Sequence, residues 1–212
     1  MAQRLVKRPE TRNQLPGFVI VVVSMVALYI LPSGFFVLAT FVSTSCMFLV
    51  AFYLTSYSKL FKPSLRSIGF GLLTATILYA IFLIGNYGVQ AIQPIGISAA
   101  NENSIYSLIS SHPLVLQIAI LAFDAFGFES YFRGNLQRYL LERRIPAIAC
   151  IISPAFADAL IHLVSLNPLW VITTFVADSV WGATYYYTKD ISSSITSHFI
   201  WDILIFILVP IK

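Results

Sequence analysis

From Asn13 to Ser58 no residue carries a charge, and this stretch decides the fold class before any motif is read. A helix needs roughly 20 apolar residues to cross a hydrocarbon core. The tripeptide Pro32-Ser33-Gly34 breaks the stretch into two spans, about 16–31 and about 35–55. A third uncharged run, about 67–92, follows Arg66, and a polar loop runs from Gln93 to Pro113. Four further apolar segments lie near 114–141, 145–164, 168–188 and 191–211. Composition agrees: 58% of the residues are hydrophobic and 10% charged, against about a quarter charged in soluble domains. That balance excludes a soluble globule, a disordered chain, a coiled coil and a nucleic-acid binder. Cys46 and Cys150 both sit in apolar runs, which supports neither a disulfide framework nor a zinc ribbon. The expectation is an all-α, polytopic membrane helix bundle of about seven transmembrane helices around a polar cavity. It forms a single domain over 1–212, with apolar N-terminal spans and an external loop over 1–113 and a polar helical core over 114–212.

Lysine and arginine in short loops mark the cytoplasmic side. Arg4, Lys7, Arg8 and Arg12 precede the first span, and Lys59, Lys62 and Arg66 separate the second from the third. Arg138, Arg143 and Arg144 lie between the fourth and fifth, and Lys189 between the sixth and seventh. The alternate loops carry Glu102 and no cation. A multi-pass protein of the cell membrane with a cytoplasmic N-terminus is expected. The first apolar run ends in Tyr29-Ile30-Leu31-Pro32 without a small-residue cleavage site, so it reads as a retained anchor.

The spans are not alike. The first three contain no carboxylate, His, Lys or Arg, whereas the last four hold Asp124, Glu129, Arg133, Asp158, His162, Asp178, His198 and Asp202. A charged side chain at mid-membrane costs about 2.5–3.5 kcal/mol even on the mildest scales, so these residues must face a shared interior. Three pairs stand four residues apart: Glu129/Arg133, Asp158/His162 and His198/Asp202. That spacing puts both members on one helical face. Structural pairing between helices would explain any single pair; three pairs with two histidines point to a functional cavity. Histidine exchanges protons near neutral pH, and buried carboxylates can act as bases. Two histidines with carboxylates also suit zinc or another divalent metal. No permanently bound metal is expected, because Asp158 and Asp202 can orient the imidazoles themselves. Elsewhere His112 reads as a solvated loop residue, Tyr185–Tyr187 as an interfacial belt, and Gly127, Gly134 and Gly182 as sites of close helix packing.

The order of these residues carries a resemblance. Phe128-Glu129-Ser130-Tyr131-Phe132-Arg133-Gly134, then His162, then His198-Phe199-Ile200-Trp201-Asp202 resembles the CAAX protease and bacteriocin-processing family of intramembrane endopeptidases. That family has a Glu-Glu-x-x-x-Arg motif, a Phe-x-x-x-His motif and a His-x-x-x-Asn/Asp motif on successive helices. The resemblance covers about residues 114–208. It implies that Glu129 is the second motif glutamate, Arg133 the motif arginine and His162 the second-motif histidine. His198 and Asp202 would hold the oxyanion. It further implies water-mediated cleavage of a peptide or protein substrate at the bilayer, without a covalent intermediate. Two positions depart from the pattern. Phe128 stands where the family has its first glutamate, and Asp158 where it has an aromatic residue.

Three functions are therefore in view. In an endopeptidase, His162 polarises water, Glu129 or Asp158 takes the proton, His198 and Asp202 stabilise the oxyanion, and Arg133 orients Glu129. In a catalytically inactive relative, the chain binds membrane segments as a chaperone or scaffold, and Phe128 favours this. In a transporter or proton relay, an inverted repeat or a broken helix pair is expected, and neither is visible.

Overall fold

The computed structural model describes residues 14–55, 61–92 and 102–211. All regular structure among them is helical. The helices are α1 (Leu15–Ile30), α2 (Phe36–Leu54), α3 (Leu65–Ile92) and α4 (Glu102–Ser110). A continuous α5 (Leu114–Glu142) contains a π-helical segment, Phe132–Gln137. Then come α6 (Ala147–Ile161), closed by a 3-10 turn His162–Ser165, α7 (Pro168–Thr188) and α8 (Ile191–Asp202), which continues as a π segment Ile203–Leu208.

The boundaries have local causes. Pro16 lies in the first turn of α1, and Pro113 and Pro146 immediately precede α5 and α6. A proline disfavours the helical region for the residue before it. Asn167 caps α7 by accepting from Leu169 N at 3.0 Å, and Asp190 caps α8 by accepting from Ser192 N at 3.0 Å. Such caps satisfy backbone donors that the first turn leaves orphaned. Each of the seven expected spans is a helix. Five stretches are long and apolar enough to cross a membrane: Ser33–Leu54, Leu65–Gly88, Leu114–Glu142, Ala147–Ser165 and Ile191–Leu208. Leu15–Ile30 is apolar but shorter. Pro168–Thr188 is not among the five, since Asp178 and four threonines dilute its apolar character.

The stretch Gln93–Pro113, expected as loop, contains α4. Tyr106 and Ile109 stand three apart, one helical face. Ile109 is buried, and the Tyr106 ring packs on Phe206 at 5.3 Å. The tyrosine belt also divides. Tyr187 is exposed and Lys189 Nζ lies 3.7 Å over the Tyr186 ring, but Tyr185 is buried beside Ile191.

Side-chain bonds sort the helix ends into two groups. Asn135 on α5 donates to Gln14 before α1 and accepts from Thr55 after α2 at 2.7 Å. Lys62 N donates to Asp190 at 3.1 Å, and Ser67 Oγ donates to the same carboxylate. The described cation-bearing loops thus share one end of the bundle. At the opposite end the last turn of α1 meets the end of α6 through Tyr29 and His162. Arg4, Lys7, Arg8, Arg12 and Lys59 lie outside the described residues.

Gly127 permits the approach of α5 to α2. A Cβ there would stand 2.3 Å from Thr44 Cγ2 and 2.6 Å from the Thr44 carbonyl oxygen. Gly127→Ala should therefore cost about 1–3 kcal/mol by overpacking, read as a lower unfolding midpoint in detergent. Gly85→Ala is the control, with nothing within 4 Å of its Cβ. Equal midpoints for the two variants would refute the packing role.

Candidate active site

Three charged side chains with no exposure form the deepest layer. Arg133, within the π segment of α5, places Nε 3.3 Å from Glu129 Oε2 one turn earlier. Its Nη2 lies 2.7 Å from Asp178 Oδ1 on α7 and donates also to the Asp178 carbonyl at 3.0 Å. Buried charges persist only when paired in good geometry. One planar guanidinium here serves two carboxylates and ties α5 to α7.

His198 on α8 continues this layer. Its Nδ1 is 2.9 Å from Glu129 Oε1, and a carboxylate only accepts, so Nδ1 carries the proton. The ring is stacked on Trp181 at 3.7 Å and 14°, and Phe128 meets it edge-on at 5.3 Å. Phe128 belongs to one apolar cluster, with Met47, Phe132 and Ile161, and Trp181 to another, with Leu78 and Trp201. The imidazole is thus clamped between the two cores. Its Nε2 lies 3.6 Å from Asp202 Oδ2. Asp124 accepts from Thr44 Oγ1 at 3.3 Å. One ligand atom each from Asp124, His198 and Asp202 lie within 4.8 Å of one another. Two carboxylate oxygens and an imidazole nitrogen suit a divalent cation. Glu129 on Nδ1 is the outer carboxylate that such a histidine ligand normally has.

Asp158 and His162 form a second group on α6, with Asp158 Oδ2 3.5 Å from His162 Nε2. The Tyr29 hydroxyl hydrogen-bonds His162 Nδ1, and Trp170 lies against the ring at 5.9 Å. Asp158 is fully buried, and neither of its carboxylate oxygens accepts a hydrogen bond among the described residues. No hydrogen bond or ion pair among the described residues joins this group to His198. Asp124 is within electrostatic reach of Asp158, His162 and His198. An apolar groove lined by Val22 and Val26 of α1 and by Phe156, Leu160 and Val164 of α6 and its turn runs alongside this pair.

Of the residues singled out from sequence, Glu129, Arg133, His198 and Asp202 come together directly, and Asp158 with His162 stands beside them. Tyr29, Thr44 and Trp181 were not foreseen. They carry no charge and lie in apolar runs, where only contacts across helices reveal them. Asp178, noted only as one of the buried acids, is the second partner of Arg133.

Residues 110–204 match the family model described as Rce1-like, type II CAAX prenyl endopeptidase. No curated protein and no solved structure matches the chain. The matched segment takes in Glu129, Arg133, Asp158, His162, Asp178, His198 and Asp202, and leaves α1 to α3 outside it. With the motif residues in the family's order and most of them bonded to one another, the segment 110–204 is similar to the Rce1-like family of type II CAAX prenyl endopeptidases.

Proposed function

We propose that the chain is an intramembrane endopeptidase that hydrolyses a peptide bond with water activated at Asp158. The observation that carries this choice is the contrast between two buried carboxylates. Glu129 is bonded through Oε1 to His198 and has Oε2 3.3 Å from the Arg133 guanidinium, whereas Asp158 has Oδ2 3.5 Å from His162 Nε2 and Oδ1 without a hydrogen-bond partner among the described residues. A general base needs a free lone pair within reach of the proton it takes. Asp158 takes a proton from water, and the hydroxide adds to the scissile carbonyl carbon. The oxyanion so formed is stabilised by the Nε2–H of His198 in its doubly protonated form, with Nδ1–H held by Glu129 and Asp202 beside Nε2. Collapse breaks the C–N bond, and Asp158 returns the proton to the departing amine. Arg133 contributes by fixing Glu129, and through it the orientation of the His198 ring. A divalent cation held by Asp124, His198 and Asp202 would supply Lewis-acid polarisation of an oxygen; the proton path above does not run through it. The groove beside α1 and α6 suits an apolar segment arriving from the bilayer.

Phe128 favours a second reading, an inactive membrane scaffold. Its ring stacks on Phe132 at 4.5 Å and fills the ground beside His198. Protein purified in detergent and incubated with a library of apolar peptides decides. Cleavage supports the endopeptidase, and an uncut library with folded protein supports the scaffold.

The same reading places the cation-bearing end of the bundle in the cytoplasm of a multi-pass membrane protein. In a chain lacking Cys46 and Cys150, an impermeant thiol reagent added outside should label Ser104→Cys and spare Ser64→Cys. The opposite pattern would invert the topology.

A further inference from the structure

The route above rests on Asp158, and the structure holds that carboxylate in place through a residue outside the matched family segment. We infer that Tyr29, on α1, is a positioning residue that sets the tautomer of His162 and so aims Asp158 at the water. The inference rests on the endopeptidase reading for its consequence, and one of its two readouts needs no cleavage.

The argument starts from donors and acceptors. The Tyr29 hydroxyl is bonded to Nδ1 of His162, and Asp158 Oδ2 stands 3.5 Å from Nε2. A neutral imidazole has one N–H and one lone pair, and which nitrogen holds the proton follows from the partner of the other. If Nδ1 held it, the Nε2 lone pair would face the lone pairs of a fully buried carboxylate, an uncompensated contact in a place where polar mismatches are expensive. If Nε2 holds it, every contact is a donor facing an acceptor: Tyr29 O–H to Nδ1, and Nε2–H to Asp158. The second arrangement wins.

Two consequences follow. Neither nitrogen of His162 is left for water, so His162 acts as the holder of Asp158, and Oδ1 of Asp158 is the acceptor that remains. The Tyr29 ring meets the imidazole edge-on at 5.7 Å and 90°, which leaves the hydroxyl as the group that Tyr29→Phe removes while the ring contact stays. Tyr29 is half-buried in the last turn of α1. This helix therefore does more than anchor the chain.

The test uses the full-length protein in detergent. Tyr29→Phe should lower kcat by about tenfold to a hundredfold, the size of loss seen when the partner that orients a metal-bound histidine is removed, with KM unchanged. Because the residue acts through Asp158, Tyr29→Phe in an Asp158→Asn background should add little. A second readout needs no cleavage. The chain has 3 histidines, so nitrogen-15 NMR of labelled histidine, assigned with His162→Gln, reads the tautomer directly. Wild type should show His162 protonated on Nε2, and Tyr29→Phe a mixture. An unchanged tautomer in Tyr29→Phe, or an unchanged or raised kcat, overturns the inference. A wild type that cleaves no peptide while its tautomer shifts on Tyr29→Phe overturns the endopeptidase reading and leaves the tautomer assignment standing.

Discussion

Asp158→Asn should abolish peptide cleavage, with a loss of at least the hundredfold that a general base ordinarily contributes. The substitution keeps shape and burial but removes the charge that accepts a water proton. The companion result is the restoration of part of that activity by Phe128→Glu together with Asp158→Phe. Position 128 holds an aromatic where the family resemblance implies a glutamate, and position 158 holds a carboxylate where it implies an aromatic. The exchange conserves one of each inside the cavity and moves them between helices. The geometry makes the swap concrete: Phe128 is buried and its ring lies 5.3 Å from that of His198, while Asp158 faces His162. A glutamate at 128 would stand beside His198, and a phenylalanine at 158 would back onto His162. If Asp158 were only a buried hydrogen-bonding residue, Asp158→Asn would alter stability alone, and the double exchange would fail to fold. Initial rates on a cleavable peptide, with unfolding midpoints measured in parallel, separate the two accounts.

Arg133→Met should destabilise the fold by about 3–5 kcal/mol, the cost of breaking a buried pair from one side. Here the cost falls on two carboxylates at once, since Glu129 and Asp178 both depend on the same guanidinium and all three are fully buried. Arg133→Lys should recover only part, because an ammonium is a point charge and cannot present the fork that spans α5 and α7. Combining Arg133→Met with Asp178→Leu should be less damaging than Arg133→Met alone, for removing both partners leaves less buried charge unmatched. A double-mutant cycle on unfolding midpoints measures that coupling. A loss under about 1 kcal/mol for Arg133→Met would mean that the two carboxylates are neutral or hydrated, against this account.

The spans were legible from sequence because charge is expensive in a bilayer, so its absence over Asn13–Ser58 marks membrane as plainly as any motif. The i,i+4 pairs were legible for a similar reason: Glu129/Arg133 and His198/Asp202 carry their own helical geometry. What could not be read was which pair met which. The sequence offers no sign that Arg133 reaches Asp178 rather than Asp158, or that Nδ1 of His198 turns to Glu129 and Nε2 to Asp202. Those choices depend on the rotation of whole helices, which the apolar clusters around Phe128 and Trp181 set. Tyr29 is the sharpest case. A tyrosine at the end of an apolar span is ordinarily an interfacial anchor, and only the arrival of α6 makes it a partner for His162. The helix α4 was hidden by the polar stretch Asn101, Glu102 and Asn103, in which the asparagine side chains favour turns and caps.

Two of the three helices that carry paired motif residues leave the α-helical repeat at or just after them, α5 at Phe132–Gln137, which includes Arg133, and α8 at Ile203–Leu208. A π turn closes hydrogen bonds one residue further along than an α turn, so each segment spends extra chain without extra rotation. The practical result is a slip of phase. A helical wheel drawn with one continuous period through α5 would rotate Gln137 away from Gly182, whose carbonyl it reaches at 2.8 Å, although both ends of the helix are correctly drawn on their own.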